Sequence, residues 1–254
     1  MDYANTYKKD FADLDARYKG VESYIKQMTT GKIRSLIVNG PPGVGKSYAV
    51  GQFLEKHAPS KHKIVSGHMT LLSLYAALYH YKDKGRVLVL DDVDSVFSKV
   101  EGLNLLKAAM DTKVVRNIHW ESSSAMLNAM GLPTSFEFQG SVVLISNVGF
   151  GGSAHKLMAH LGALKDRSYC IPIADNGEDS KFKQVAYMVL KKKMLKDFHL
   201  NANVETMLLD YMAKNRNKLY TVSLRTIIKL AEIYTMDSRN WRAMADQGLL
   251  KAVV

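Results

Sequence analysis

The sequence predicts an α/β protein in which a parallel β-sheet carries helices on both faces and a small helical domain follows. Short apolar segments alternate with segments of helical periodicity up to about residue 175, which is typical of β-α-β units. The segments at residues 87–90 and 141–146 are apolar on both faces, as expected of strands in the middle of a parallel sheet. Beyond residue 175 only helical periodicity remains.

The same pattern predicts the elements in chain order. The predicted strands cover residues 33–39, 64–66, 87–90 and 141–146, and the predicted helices cover residues 2–29, 46–57, 70–81, 101–111, 181–198, 204–214 and 223–234. We therefore predict an N-terminal helical segment at residues 1–30, an α/β core at residues 31–174 and a helical domain at residues 175–254. The last junction lies in the polar, turn-rich sequence ADNGEDS.

Composition limits the class of protein and the kind of partner. Apolar residues make up 47% of the 254 residues, which is enough for a sizeable core and disfavours wholesale disorder. The formal net charge is +11, which suggests an acidic partner, and nucleic acid is the commonest one. The alternative is a basic protein without such a partner.

Cysteine content and hydropathy bear on location. Cys170 is the only cysteine, so no internal disulfide can form and a cytoplasmic location is expected. The N-terminal sequence is charged and lacks the apolar segment of a signal peptide. No uncharged apolar run approaches the roughly 18 residues that span a bilayer, so we expect no membrane partner.

A phosphate-binding loop is predicted at residues 40–47, where GPPGVGKS follows a predicted strand and opens a predicted helix. Gly43 and Gly45 allow backbone angles that turn successive N–H groups towards an anion, and the helix start adds its positive dipole end. Lys46 would reach the β- and γ-phosphates of ATP, and Ser47 would place its hydroxyl on Mg²⁺. The predicted nucleotide-binding residues in this segment are Gly40, Pro41, Pro42, Gly43, Val44, Gly45, Lys46, Ser47 and Tyr48.

A group of aspartates follows the apolar strand at residues 87–90. A phosphate loop of this kind needs a carboxylate, delivered from the end of a neighbouring strand, to hold Mg²⁺. Asp91 takes that position. Asp92 points differently as the strand ends, and it is the candidate for polarising the attacking water. The alternative is that Asp92 and Asp94 cap the following turn, as aspartate often does.

With these motifs the sequence resembles the AAA+ ATPases, a family of ring-forming P-loop ATPases. The sequence DDVDS is similar to the family's acidic motif, although Asp92 replaces the usual glutamate and is one methylene shorter. Asn147, which follows the strand SVVLIS, matches the family's polar sensor of the γ-phosphate. Arg167, in GALKDRSYCIPI, resembles the arginine finger that reaches a neighbouring subunit's ATP. Arg225, in TVSLRTIIKLAEIY, resembles the second sensor arginine of the lid helix.

The resemblance implies a fold and a mechanism. The fold would be a P-loop (AAA+) αβα core with a parallel sheet and a small C-terminal all-helical lid. The activity would be Mg²⁺-dependent ATP hydrolysis in a homo-oligomer, often a hexameric ring, in which Arg167 completes the site of its neighbour. The implied catalytic residues are Lys46, Asp92, Asn147 and Arg167, with Ser47 and Asp91 at the metal and Arg225 at the nucleotide. The small size and short connections resemble ATPases encoded by bacteriophages and mobile elements.

Three hypotheses remain open for what ATP hydrolysis drives. The net charge and a loop at residues 116–122, which contains Arg116 and Trp120, favour action on nucleic acid or nucleoprotein, as in helicase loaders and recombination helpers. The alternative for this loop is that Trp120 packs against the core. Residues 66–69 follow the second predicted strand, where AAA+ proteins carry their first pore loop. They lack the aromatic–hydrophobic–glycine triplet of the members that thread proteins through the pore, which also favours nucleic acid. The alternatives are remodelling of a protein complex without nucleic-acid binding, and an assembly scaffold with little turnover.

Overall fold

The protein is built around a five-stranded parallel sheet, and the computed structural model describes residues 1–120, 125–147, 162–175 and 177–251. The strands are β1 (Ser35–Asn39), β2 (His62–Ser66), β3 (Val87–Asp91), β4 (Asn117–His119), β5 (Ser135–Glu137), β6 (Ser141–Ser146) and β7 (Tyr169–Pro172). The helices are α1 (Tyr3–Thr6), α2 (Lys8–Met28), α3 (Lys46–His57), α4 (Leu71–His80), α5 (Asp94–Phe97), α6 (Val100–Ala109), α7 (Ala125–Ala129), α8 (Glu178–Leu190), α9 (Ala202–Asn215), α10 (Leu224–Met236) and α11 (Trp241–Leu249), with a 3₁₀ turn at Lys196–Phe198. Within these ranges no helix is both long enough and apolar enough to cross a membrane.

The sheet has the strand order β2-β3-β6-β1-β7, and all neighbouring strands are parallel. β3 and β6 are buried along their whole length, and β1 is buried except for its last residue. The outer strands β2 and β7 are partly or fully exposed. Strands buried on both faces need apolar residues at every position, which explains the unbroken apolar runs. The predicted fold class, a parallel α/β core with a helical C-terminal region, is confirmed.

The parallel arrangement brings the carboxyl ends of three neighbouring strands to one edge of the sheet. Asp91 at the end of β3 pairs with Ile145 of β6, and Asn39 at the end of β1 pairs with Ser146 of β6. The chain continues from these ends into Asp92, into Asn147 and into the glycine-rich loop. The predicted site residues of the sheet therefore meet at this edge.

The chain divides into two compact units, of which the sheet unit consists of Tyr18–Asn39 and Lys46–Pro172. Its core packs apolar side chains of the central strands against those of α4 and α6. Examples are Leu88 and Leu144 from the strands and Leu74, Leu78 and Leu103 from the helices. Burial of such side chains is the main favourable contribution to the stability of this unit.

The helical unit consists of Met1–Arg17, Gly40–Gly45 and Ile173–Val254. Within it, the ring of Tyr3 meets Phe182 edge to face at 5.4 Å, and Lys183 donates to Asp10 at 3.0 Å. The Tyr3 hydroxyl donates to Asp210 at 2.7 Å, and burial together with this carboxylate raises the pKa of Tyr3. The first residues of the chain are therefore part of the helical unit's packing.

The sequence did not predict a small antiparallel hairpin formed by β4 and β5. Ile118 of β4 pairs with Phe136 of β5, and both side chains are buried. Each strand has three residues with a single buried position. So short an alternation of exposed and buried residues cannot be distinguished from a loop in the sequence.

Gly102 lies inside α6, where alanine is ordinarily the better helix former. Here a Cβ would overlap the backbone carbonyl oxygen of Val96 and would lie 3.1 Å from Cδ2 of Leu71. We expect Gly102→Ala to lower the free energy of unfolding by about 1–3 kcal/mol, because overpacking shifts the backbone. Urea unfolding followed by circular dichroism would measure the change.

Gly248→Ala is the matched control for this prediction. Gly248 lies in α11, and a Cβ there would meet no heavy atom of the described residues within 4 Å. The substitution removes the conformational freedom of glycine without a clash, so stability should stay the same or rise by up to about 1 kcal/mol. Equal losses in both variants would contradict the packing around Gly102.

Candidate nucleotide-binding site

The glycine-rich loop joins β1 to α3. Gly43 and Gly45 have φ angles of 74° and 93°, in the left-handed region that other residues rarely adopt. A Cβ on Gly43 would also lie 2.6 Å from Cβ of Ser223, a residue of the same helical unit. Position 43 therefore requires glycine both for its backbone angle and for space. A turn of this kind that opens a helix N-terminus presents backbone N–H groups to phosphate.

A chain of hydrogen bonds links three predicted site residues in the sheet unit. Lys46, the first residue of α3, is 5% exposed, and its Nζ donates to Oδ1 of Asn147 at 2.8 Å. Nδ2 of Asn147 donates to Oδ2 of Asp92 at 2.6 Å. The amide oxygen of Asn147 thus faces the ammonium group of Lys46, and its NH₂ group faces the carboxylate of Asp92. This orientation matches the acceptor and donor atoms of the amide.

Asp91 and Ser47 are the predicted metal ligands. Asp91 ends β3, is 9% exposed and pairs with Ser66 and Ile145 on the neighbouring strands. Ser47 is exposed in the first turn of α3. Mg²⁺ prefers one or two carboxylates completed by waters and phosphate oxygens, rather than a cage made only of protein ligands. One buried carboxylate and one hydroxyl therefore fit Mg²⁺ that is bound together with a nucleotide.

Asp92 has a left-handed backbone with a φ of 52° directly after β3. For a residue other than glycine this conformation costs on the order of 1 kcal/mol. The N–H of Asp92 donates to the carbonyl of Ile145 at 3.3 Å, so β6 holds the turn. The turn places the Asp92 carboxylate within hydrogen-bond distance of Asn147. Strained backbone positions are common at functional sites, which is consistent with the hypothesis that Asp92 polarises the attacking water. The side chain of Asp94 lies outside the described part of the structure.

Arg167 makes its contacts elsewhere in the sheet unit. It follows residues 162–166, which are helical, and precedes β7. Its Nη1 donates to the carbonyl of Ala163 at 2.9 Å, and its Nε lies 3.8 Å from Oδ2 of Asp111. The side chain is 30% exposed. The guanidinium is thus held within its own chain, and the arginine-finger role stays a prediction.

Arg225 is exposed near the start of α10 in the helical unit. The preceding residue, Leu224, donates its N–H to the carbonyl of Gly43 at 2.8 Å. Arg225 is therefore one residue away from a direct contact with the glycine-rich loop. Its role at the nucleotide stays a prediction.

A second contact to the loop was missed in the sequence. Gln184 lies in the middle of α8, is fully buried, and its Nε2 donates to the carbonyl of Val44 at 3.1 Å. The signal in the sequence was a polar residue among the apolar positions of a helix, next to Val185 and close to Phe182. A buried amide needs a hydrogen-bond partner, but the sequence could not say which group supplies it.

Arg116, one of the candidate nucleic-acid residues in the loop at residues 116–122, is buried in the structure. Arg116 is 5% exposed, and its guanidinium donates to the carbonyls of Ala109 and Gly140. Burial, followed by the nearby charge of Arg34, lowers the pKa of Arg116 to about 10. The side chain remains charged at neutral pH, but its donors serve the main chain of its own unit.

Trp120, the other candidate nucleic-acid residue of this loop, also packs within the sheet unit. Its ring centroid lies 5.4 Å from that of Tyr75. The half-buried ring packs against the apolar core of this unit, which agrees with the alternative stated for this residue. The remaining predicted loop residues, 121 and 122, lie outside the described residues.

Comparison with the solved structure of a RuvB variant gives the same fold. The structure of a RuvB variant from Thermotoga maritima matches with a TM-score of 0.50 and 12% identity, covering 93% of this chain and 68% of that chain. Domain III of the replication initiation protein DnaA from Thermotoga maritima matches with a TM-score of 0.49 and 12% identity, covering 88% of this chain and 83% of that chain. No protein-family model matches the sequence.

The fold, a parallel sheet with a glycine-rich loop after β1, matches that of AAA+ P-loop domains. The sequence is 32% identical over 248 residues to a protein of Enterobacteria phage T4 described as an uncharacterized 36.7 kDa protein in the nrdC-mobD intergenic region. This match covers 94% of this chain and 76% of the T4 protein, and the chain belongs to the same family as that protein. The predicted resemblance to AAA+ ATPases is thereby confirmed for the fold, and the sequence relative is a phage protein.

The variants Asp92→Gly and Asp92→Ala both remove the carboxylate but tolerate a φ of 52° differently. Glycine adopts this angle at little cost, so we expect Asp92→Gly to be more stable than Asp92→Ala by about 1 kcal/mol. Urea unfolding of the two variants would measure the difference. Because both variants lose the hydrogen bond to Asn147, that loss cancels in the comparison. A more stable Asp92→Ala would contradict the left-handed conformation.

Proposed function

We propose that this protein binds ATP with Mg²⁺ and hydrolyses it to ADP and phosphate, and that hydrolysis drives work on nucleic acid or a nucleoprotein complex. The observation that carries the proposal is the hydrogen-bonded series Lys46–Asn147–Asp92 at the carboxyl ends of neighbouring parallel strands. In open α/β sheets, ligands bind outside these strand ends. The glycine-rich loop that precedes Lys46 supplies the matching phosphate-binding backbone.

Lys46 would bind the β- and γ-phosphates through its ammonium group, and Arg225 would add a second positive charge. Mg²⁺ held by Ser47 and Asp91 would neutralise the charge that develops on the phosphates during transfer. Lys46 already donates to Asn147, so its contact with the γ-phosphate would act directly on that amide. Through its NH₂ group Asn147 would then adjust Asp92. This supports a role for Asn147 as the sensor of the γ-phosphate.

Asp92 would orient and polarise the attacking water. Its Oδ2 accepts from Asn147, while its side chain is exposed, so Oδ1 can accept a hydrogen bond from a water molecule. The left-handed backbone also gives a reason for aspartate at this position. Asp populates positive φ several-fold more readily than most residues, including Glu. Aspartate therefore fits the left-handed turn at this position better than the glutamate that is usual in the family.

Arg167 would act as an arginine finger towards a neighbouring subunit of a homo-oligomeric ring. Its ion pair with Asp111 at 3.8 Å is long and partly exposed, and such pairs contribute little to stability. Arg167 could thus exchange this contact for a phosphate of the adjoining site at small cost. A permanently charged, forked group suits that role.

The formal net charge of +11 supports nucleic acid as the acidic partner. The burial of Arg116 and the packing of Trp120 weaken the local support for that assignment. These two contacts favour the alternative function, in which the ATPase remodels a protein complex without binding nucleic acid. The two functions differ in what stimulates ATP hydrolysis.

Nucleotide binding and phosphate release test the proposed activity. We expect Lys46→Ala to weaken ATP binding by at least about tenfold, because a charge-assisted phosphate contact is lost. We expect Asp92→Asn to keep ATP affinity within about threefold but to lower kcat by roughly 100-fold or more, because the water loses its general base. Asp92→Glu should not exceed the parent rate, because glutamate fits the left-handed turn less well.

Asp83→Asn is the matched control, since Asp83 is an exposed aspartate of the sheet unit outside the candidate site. It should leave both affinity and kcat unchanged. A parent protein that releases no phosphate, or an Asp92→Asn variant with parental turnover, would overturn the proposed catalytic site.

Mass measurement by light scattering, with and without a non-hydrolysable ATP analogue and a DNA oligonucleotide, tests assembly and partner together. We expect the analogue to promote a closed homo-oligomer, and DNA to co-elute at low salt with an affinity that falls steeply as salt rises. Arg167→Ala should bind the analogue normally but lower kcat at least about 100-fold, because arginine fingers act only in turnover.

Each outcome separates the hypotheses. A strictly monomeric protein with the analogue would overturn the ring and the finger role of Arg167. Absence of DNA binding at low salt, together with stimulation of the ATPase by a protein partner, would establish the alternative function instead.

A further inference from the structure

Two main-chain carbonyls of the glycine-rich loop are held by the helical unit. The carbonyl of Gly43 accepts a hydrogen bond from the N–H of Leu224 at 2.8 Å. The carbonyl of Val44 accepts one from Nε2 of Gln184 at 3.1 Å. All four residues belong to the helical unit. The loop is therefore held on its carbonyl side by donors from two separate helices, α10 and α8.

The donor from α10 is rigidly placed. Leu224 is the first residue of the helix, and its N–H is one of the four that a helix start leaves without an intrahelical acceptor. Ser223 caps the helix by accepting from the N–H of Thr226 at 3.2 Å, and the hydroxyl of Thr226 donates to the carbonyl of Thr221 at 2.8 Å. The helix start is thus fixed independently of the loop.

The donor from α8 is confined by packing. Gln184 is fully buried, and so are its neighbours Phe182 and Val185. A side chain that is already immobilised loses little conformational entropy when it donates a hydrogen bond. A buried amide of this kind is also expected to have its polar atoms hydrogen bonded, so its contact with Val44 is more than incidental.

Peptide planarity converts these two contacts into an orientation of the loop. In a trans peptide, the carbonyl of one residue and the N–H of the next point in opposite directions. The bond from Leu224 to the carbonyl of Gly43 therefore directs the N–H of Val44 away from α10. The bond from Gln184 to the carbonyl of Val44 directs the N–H of Gly45 away from α8. Successive N–H groups of such a loop are the groups that bind phosphate.

We propose that Gln184 and the start of α10 set the orientation of the N–H groups with which the glycine-rich loop binds nucleotide phosphates. Gln184 is then a positioning residue, because it acts on the phosphates only through the loop. The inference rests on the proposed binding of ATP at this loop. By linkage, a nucleotide that prefers the oriented loop also strengthens the contacts of α8 and α10 with Gly43 and Val44.

The variant Gln184→Met removes the donor and keeps a side chain of similar length. We expect the Kd of Mg·ATP, measured by calorimetry on the full chain, to rise about 5- to 50-fold, because a buried carbonyl loses its partner. Adenosine carries no phosphate, so its affinity should change less than about twofold. A general loss of folding would weaken the binding of both ligands.

Val185→Ala is the matched control on the same helix. It opens a cavity next to Gln184 without removing a hydrogen bond to the loop, so it should lower the urea midpoint of unfolding. Its Kd for Mg·ATP should stay within about twofold of the parent, because no loop contact is lost. Parental ATP affinity in Gln184→Met would overturn the inference, as would an equal loss in Val185→Ala or an equal loss for adenosine.

Hydrogen exchange of the parent protein provides a test without variants. Saturating Mg·ATP should slow the exchange of amides around Gln184 in α8, and unchanged exchange would overturn the inference. The parent also separates this inference from the proposed function. A parent that does not bind ATP overturns both, whereas a parent that binds ATP while Gln184→Met binds it equally well overturns only the positioning role.

Discussion

The amide of Asn147 holds the candidate site together, because it accepts a hydrogen bond from Lys46 and donates one to Asp92. This depends on the strand order, in which β6 lies between β3 and β1. A strand spacing is about 4.8 Å, so moving β6 by one place would break both contacts. The parallel sheet therefore does more than build a core, since it sets the distances between groups that are far apart in the chain.

The glycine-rich loop is constrained by the helical unit to which it belongs. Its carbonyls at Gly43 and Val44 are bound by neutral donors, and in the proposed function the N–H groups of the loop would bind phosphate. The groups that shape the loop would then be different from the groups that bind phosphate. A change in the packing of α8 or α10 can alter the loop without touching a charged residue.

Asp92 and Arg116 are both charged, but one is exposed and the other is buried, and this difference determines which groups each can bind. Asp92 sits in a strained turn, and its carboxylate is exposed to solvent and accepts a hydrogen bond from Asn147. Arg116 has the charge that nucleic acid requires, but burial commits its donors to main-chain carbonyls. Residue type alone would rank the two equally as functional candidates.

The sequence by itself determined the parallel α/β fold, the helical C-terminal region and the position of the glycine-rich loop. Apolar runs, helical periodicity and glycine spacing are local properties, so they can be read along the chain. Only the tertiary structure decided that Asn147 joins Lys46 to Asp92, that Gln184 reaches Val44 and that Arg116 is buried. These contacts join residues far apart in the sequence or depend on burial, and neither property leaves a local pattern.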